Sequence, residues 1–448
     1  MSLWVKRVLQ KSVNIEEVSI DVQKITTGKN VFRKLINEKK EKFLATLAFD
    51  DLSAAELEIS SATLNLELGG IKPREHTIEF ECTRKAAHTL ARRMGGVLKI
   101  ALICGDTLEE VFDRLPLPDE PKFQWSISAY GCPEELVEET RTRVRELLKE
   151  NRLGKANFLA PNVQGVLDDE QAGGETYSEL ALKDLDTRIF SRDRLRPSGF
   201  EIMVRKEKGE SGHVSYGYTI ELSDLKGFEE RDLLRPYKDP TITMGPRIAR
   251  TLVNLSVGPM SKTILDPFCG LGTILQEALI CGYSAVGLDI SRSNVERTRT
   301  NVAWLVSHYE IRKTASARVL RRDATELEKG DLPPVDSVAT EPILLEKFTR
   351  NPDFSTANEF VRKSMGVYSK TLVALSHILR KGSRIAVVAP EIVDDRGRPH
   401  ALKLDEVDSF GLRLFHPRSE QTRIQYPLRI HTAKKKIVKR NVYVMEVS

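Results

Sequence analysis

Cysteine is scarce in this chain and scattered. The five present, Cys82, Cys104, Cys132, Cys269 and Cys281, form no CxxC pair and have no histidine at ligand spacing. Neither a disulfide framework nor a zinc site is therefore expected, and an odd count in a large chain suits a reducing compartment. The eight histidines are dispersed, and none makes a general base by its spacing. Long apolar runs are lacking as well. No stretch reaches the roughly 18 residues of a membrane span, and the N-terminal MSLWVKRVLQKSVNIEEVS has no continuous apolar segment of the kind a secretion signal needs. The expectation is a cytoplasmic protein with no membrane partner and no metal. A large excess of one charge is missing too: 69 basic residues against 64 acidic ones leave a net +5. That balance permits an acidic partner such as nucleic acid, but only clustering of the basic residues would argue for one.

What is present is a soluble globular composition, 30% charged and 40% hydrophobic. At 448 residues the chain exceeds what one core usually serves, so two or three domains are expected. Its centre is residues 263–291, TILDPFCGLGTILQEALICGYSAVGLDIS. A short apolar run, Thr263 to Leu265, stops at Asp266-Pro267; a helix follows up to Ile280; Ala285, Val286 and Leu288 form a second strand ending at Asp289. Apolar strands separated by a helix indicate a parallel sheet covered on both faces. Ligands of such sheets sit at the carboxyl ends of the strands. Gly270 and Gly272 lack a Cβ, so the backbone can turn sharply and a bound molecule can approach the peptide groups. Free amides at the start of the helix near Thr273 point to the same place. Asp289 falls about 20 residues after the loop, where a carboxylate can accept from two ribose hydroxyls. The dinucleotide fingerprint needs a third glycine where Leu275 stands, so a nucleoside is expected and NAD is disfavoured.

The string Asp266-Pro267-Phe268-Cys269-Gly270-Leu271-Gly272-Thr273 resembles the first motif of S-adenosylmethionine (SAM) methyltransferases, in the form used on exocyclic amines of nucleic-acid bases. Further upstream, ERDLLRPYKDPTITMGPRIARTLVNLS resembles the segment that precedes the catalytic domain in THUMP-domain tRNA guanosine-N2 methyltransferases. The N-terminal half, chiefly through FQWSISAYG, is similar to the THUMP-containing region that holds tRNA in that family. The resemblance implies an α/β fold: a C-terminal Rossmann-like SAM-methyltransferase sheet with an N-terminal α+β region, ferredoxin-like plus THUMP-like. The corresponding domains are residues 1–225, a linker at 226–243, and 244–448. SAM would lie over Asp266, Pro267, Phe268, Gly270, Gly272 and Thr273, with Asp289 and Ile290 at the ribose. At the end of a third strand, the Asp323 carboxylate would take the adenine amino group and the Ala324 amide a ring nitrogen.

In that family the residues after the fourth strand are Asp or Asn, Pro, Pro and an aromatic that stacks on the flipped base. Here they are Glu341, Pro342, Ile343 and Leu344. Glu341 and Pro342 are the candidate catalytic pair; Glu341 is one methylene longer than Asp. The absent ring removes about 1–3 kcal/mol of base stacking unless Phe348 or Tyr237 replaces it. The implied activity is methylation of a guanosine N2 amine in tRNA, with position ten the family's usual target. The implied partners are tRNA and, as in a related enzyme class, a small activating methyltransferase subunit. The alternatives are a tRNA-binding protein with impaired catalysis and a DNA amino-methyltransferase; the N-terminal half argues against the latter.

Other features have plainer readings. Arg84 to Leu98 reads as a basic amphipathic helix and residues 63–68 as a strand. Ser291 reads as an N-cap, and Thr356 with Glu359 as a capping box. An antiparallel last strand is expected at Asn441 to Val447. Cys269 is expected to pack rather than react, and Trp125 and Tyr130 to lie in a core. Arg192, Arg194 and Arg196 suit either phosphates or an ion pair with Asp193. Lys434 to Lys436 reads as a solvated turn.

Overall fold

The computed structural model of the chain describes residues 39–48, 51–62, 68–74, 76–118, 121–153, 155–159, 199–207, 212–239, 244–342, 348, 350–417, 424–430 and 437–448. Residues 41–448 form one unit. Arg192 to Arg196, Ile343, Leu344 and Lys434 to Lys436 lie outside the described residues.

The first half runs β1 (Glu41–Leu47), α1 (Leu52–Ala62), β2 (Gly69–Arg74), β3 (Thr77–Cys82), α2 (Arg84–Arg93), β4 (Val97–Gly105), α3 (Leu108–Arg114), β5 (Lys122–Tyr130), α4 (Glu134–Glu150), β6 (Lys155–Phe158), β7 (Gly199–Lys206) and β8 (Val214–Leu222). These strands make an eight-stranded sheet in the order β2-β3-β1-β4-β8-β7-β5-β6. Alternate side chains on one face, among them Phe43, Phe80, Ile100, Trp125 and Phe200, form a core with the apolar stripes of α1 to α4. Trp125 is buried there as expected; Tyr130 is only half-buried, with its hydroxyl 2.5 Å from Thr46 Oγ1.

One expectation fails in this half. The helix expected to reach Leu98 stops at Arg93, because Met94 turns to extended backbone at φ −82° and ψ 140°, and the Gly95-Gly96 pair after it cannot sustain a helix. Val97 onward is the central strand β4, paired on both sides. Gly95 is required by packing: a Cβ there would lie 2.3 Å from the Arg247 carbonyl oxygen. Of the strand expected at 63–68, residues 63–67 lie outside the described residues; β2 runs from Gly69 to Arg74.

The second half begins with α5 (Leu225–Leu233) and α6 (Pro246–Ser256), then β9 (Thr263–Asp266), α7 (Thr273–Ile280), β10 (Ser284–Asp289), α8 (Arg292–His308), β11 (Ala317–Arg321), β12 (Ser337–Thr340), α9 (Phe354–Ile378), β13 (Arg384–Val393), β14 (Pro399–Ala401), β15 (Leu412–Leu414), β16 (Leu428–Arg429) and β17 (Val438–Val447). The sheet order is β11-β10-β9-β12-β13-β17-β15, with β14 on β13 and β16 on β17. Strands β9 to β13 pair parallel, and β17 is antiparallel to β13, as expected for Asn441 to Val447 from the fold that the resemblance implies. α6 and α7 pack with Ile264, Ala339 and Val444 on one face, and α9 with Leu265, Val338 and Tyr443 on the other. The direction of winding reverses between β9 and β12, and such a reversal opens a crevice at the carboxyl ends of the strands.

Ser291 caps α8 as expected, accepting from Asn294 N. The cap of α9 is Asp353 rather than Thr356. Asp353 Oδ1 accepts from Thr356 N at 2.9 Å, which puts Thr356 inside the first turn, and Glu359 pairs with Lys363 instead of reaching back. No helix of the described residues is long and apolar enough to cross a membrane.

The two sheets meet through α1 and α6. Ala54 and Leu57 join the apolar cluster of Ile248, Leu252 and Val253. In the same contact the buried Glu58 carboxylate accepts from Gly95 N, Gly96 N and Asn254 Nδ2, each at 2.8 Å. Burial raises its pKa, because the three donors only partly replace water.

Candidate active site

The crevice between β9 and β12 is built from short, interlocked hydrogen bonds. Asp266 closes β9 with its carboxylate buried, and Oδ1 accepts from Thr340 Oγ1 at 2.8 Å and from Phe268 N at 3.1 Å. That bond ties the end of β9 to the end of β12, one residue before Glu341. Burial pushes the Asp266 carboxyl up to about 7. Since the folded chain holds this proton more tightly than the unfolded one, the group stabilises the fold fully below about pH 4, the ordinary aspartate value. That contribution is lost as the pH rises through about 7. The thermal midpoint should fall over this interval in the wild type and lose that slope in Asp266→Asn; an unchanged slope in the variant would assign it to another group.

The glycine loop follows. Gly270 and Gly272 have φ of 51° and 86°, the left-handed region that glycine enters without strain. A Cβ on Gly272 would meet Thr298 Cγ2 at 2.7 Å, whereas a Cβ on Gly270 would face open space. The closed side of the loop is thus packed on α8 and the open side faces the crevice. Thr298 Oγ1 donates to Gly270 O at 2.5 Å, and Asn301 Nδ2 donates to Leu271 O and to Tyr237 O, both at 2.9 Å. Tyr237 N returns a bond to Asn301 Oδ1 at 2.9 Å, and Arg235 Nη1 donates to Thr273 Oγ1 at 2.7 Å. Residues 235–237 are in this way strapped to the loop and to the start of α7.

Asp289 ends β10 beside the loop. Its carboxylate accepts from Gly270 N at 3.2 Å, Ser291 N at 2.8 Å and Asn294 Nδ2 at 3.1 Å. A carboxylate offers about four lone-pair sites, so acceptor capacity remains. Ile290 next to it is a large apolar side chain that is 63% exposed. Asp323 follows β11, and Arg322 N bonds to Asp289 O at 3.2 Å, which brings the two strand ends together. Asp323 Oδ1 accepts from Thr325 N and Oγ1 at 2.8 Å, and Ala324 is buried. Cys269 is buried, and burial pushes its thiol well above the ordinary range, so it packs rather than reacts.

Open space on one side of the loop, an acid with spare lone pairs, an exposed apolar side chain at Ile290 and an acceptor at Asp323 together fit a nucleoside such as that of SAM. Among the described residues no group of three or more His, Cys, Asp or Glu is placed to hold a metal ion.

Glu341 and Pro342 follow β12 at the same rim, Glu341 half-buried and Pro342 buried. A partner not foreseen from the sequence reaches Glu341 from the last strand: Arg440 Nε donates to Oε1 at 2.5 Å, with Nη2 at 3.4 Å from Oε2. Of the two rings considered as base platforms, Phe348 packs edge-on against Phe360 at 5.5 Å within an apolar cluster. Tyr237 is 42% exposed on the strap, with Arg297 over its ring at 5.7 Å. Thr298, Asn301, Arg235, Thr340 and Arg440 were given no role in the site by sequence reasoning. Two of them carried a signal: Arg235 stands in the segment ERDLLRPYKDP that bears the resemblance, and Arg440 follows Lys439 in a basic pair.

Residues 234–394 match the family described as RMKL-like, methyltransferase domain. The chain is 37% identical over 163 residues to the tRNA (guanine(10)-N2)-dimethyltransferase of Methanothermobacter thermautotrophicus, covering 36% of this chain and 43% of that one. It is 26% identical over 231 residues to the protein of the same name from Pyrococcus abyssi, covering 51% and 57%. The matched part thus spans about half the length of these curated relatives. The crystal structure of TrmN from Thermus thermophilus superposes with a TM-score of 0.47 at 18% identity, over 91% of this chain and 100% of that one. Residues 234–394 are thus similar to a methyltransferase domain, and the chain shares part of its length with curated tRNA guanosine-N2 enzymes.

Proposed function

We propose that the chain is a SAM-dependent methyltransferase acting on the exocyclic N2 amine of a guanosine in tRNA, at position ten as in the names of its relatives. The observation that carries the reading is the Thr340–Asp266 bond, which sets Glu341 and Pro342 beside the glycine loop. SAM, when bound, supplies a methyl group on a sulfonium that leaves with its bonding pair on sulfur. Asp266, Pro267, Phe268, Gly270, Gly272 and Thr273 would hold it, with Asp289 and Ile290 at the ribose and Asp323 and Ala324 at the adenine. The lone pair of a guanine amine is delocalised into the ring, so the nitrogen attacks poorly unless its N–H groups are held out of conjugation. The Glu341 carboxylate and the Pro342 carbonyl are the acceptors for those N–H groups, and Glu341 takes the proton that the nitrogen sheds on methylation. Proline keeps the turn stiff, so the acceptors are in place before the base arrives.

In this reading the first half, residues 1–225, is the ferredoxin-like and THUMP-like region that holds tRNA. Residues 226–243 are the linker and 244–448 the catalytic domain, in a cytoplasmic protein that a small activating subunit can join. The test is incubation of unmodified tRNA transcripts with the purified chain and SAM, digestion to nucleosides, and mass spectrometry. N2-methylated guanosine mapped to position ten is the expected product. SAM binding by calorimetry with no methylated nucleoside, even with a partner subunit added, would leave a tRNA-binding protein without the chemistry.

A further inference from the structure

Glu341 carries one more rotatable bond than aspartate, and an acceptor that wanders among rotamers cannot hold an amine in line. In the folded chain the carboxylate is gripped side-on by Arg440, through Nε to Oε1 at 2.5 Å and Nη2 toward Oε2 at 3.4 Å. Both ends of the grip stand on fixed backbone. Arg440 lies opposite Pro390 in the antiparallel β13–β17 pair, and Glu341 follows Thr340, which pairs with Val387 and is bonded to Asp266. The neighbours of Arg440 on β17 turn to the other face, where Lys439 and Asn441 both go to Glu391. The side chains of Arg440 and Glu341 are 21% and 14% exposed, sheltered enough to hold one geometry and open enough to meet a substrate. The guanidinium occupies one side of the carboxylate, which leaves the remaining lone pairs for N–H groups of the substrate.

We propose that Arg440 is a positioning residue for methyl transfer: it locks the Glu341 carboxylate toward the incoming amine and so lets a glutamate serve where a shorter acid would hold itself. The inference rests on the methyltransferase reading above. Arg440 touches neither the methyl donor nor the amine in this scheme and acts only through Glu341.

Arg440→Gln and Arg440→Lys test it, by rate measurement on tRNA, SAM calorimetry, and crystal structures of the wild type and Arg440→Gln. In Arg440→Gln kcat is expected to fall about ten- to hundredfold while KM for tRNA and Kd for SAM stay within about twofold, the signature of lost alignment. Arg440→Lys should recover part of the rate, and Glu341 should take a different rotamer in the Arg440→Gln crystal. A Glu341 carboxylate unmoved in that crystal overturns the proposal whatever the rate. So does a raised KM with kcat intact, which would make Arg440 an RNA contact. If the wild type forms no methylated nucleoside, the methyltransferase reading fails, and the crystal comparison alone then decides whether Arg440 positions Glu341.

Discussion

Glu341→Ala is expected to lower N2-methylguanosine formation by about 10²–10³-fold, the size of effect seen when one preorganised polar group is removed from a reacting centre. Affinity for SAM should be unchanged, since the glycine loop and Asp289 are held by bonds that do not involve Glu341. The fall belongs in kcat, because the acceptor is needed most when the amine lone pair leaves conjugation. Glu341→Gln keeps a carbonyl oxygen for one N–H but cannot take a proton and no longer attracts Arg440 by charge, so its rate should lie between those of the wild type and Ala. Nucleoside mass spectrometry under single-turnover conditions reads all three. An alanine variant within about threefold of the wild type would remove Glu341 from the mechanism.

Glu277→Gln is expected to destabilise the fold by about 3–5 kcal/mol. Glu277 on α7 is fully buried and carries two guanidinium groups at once. Arg231 Nε from α5 is 2.6 Å from Oε1, and Arg250 Nε from α6 is 2.7 Å from Oε2. The Phe228 ring centroid is 5.1 Å from the Arg231 guanidinium and 5.2 Å from that of Arg250. A neutral amide would leave two buried cations with a single carboxylate, that of Asp224, at 3.4 Å from Arg231. Arg250 would keep the Arg92 and Arg93 carbonyls, at 3.3 and 3.4 Å, but carbonyl oxygens do not neutralise a charge. A urea titration should show a lower midpoint with an unchanged slope, as a loss of stability without a change in the surface exposed on unfolding. A loss below about 1 kcal/mol would mean that the arginines reach water when their partner is removed.

The same cluster shows how tertiary contacts join the halves. α5 lies in the stretch read as a linker, yet its Arg231 is anchored to the first helix after the glycine loop. Glu58 does the same from the other side, since it bonds residues of α6 193 and 196 positions away and two glycine amides that end α2. In the sequence these residues look like ordinary members of charged helices. Their burial could not be inferred from spacing, because a buried charge is tolerated only where distant partners converge on it.

The sequence by itself determined whatever is local. The run from Thr263 to Asp289 had to form strand, loop, helix and strand, because glycine alone enters φ of 51° and 86° without strain and the apolar runs fit strands of a covered sheet. Ser291 at the head of α8 was legible for the same reason, whereas the antiparallel last strand was expected from the fold that the resemblance implies. Where a local signal was read too far, as at Met94 or Thr356, the error was one of boundaries set by a neighbouring residue. Only the tertiary structure decided what surrounds the candidate acceptor. Arg440 is 99 residues from Glu341, and Thr340 is 74 from Asp266. The register of β13 against β17 and of β12 between β9 and β13 brings them together. Hydrogen bonds and ion pairs depend on distance in space, and a linear pattern carries no record of that distance until the sheet has been assembled.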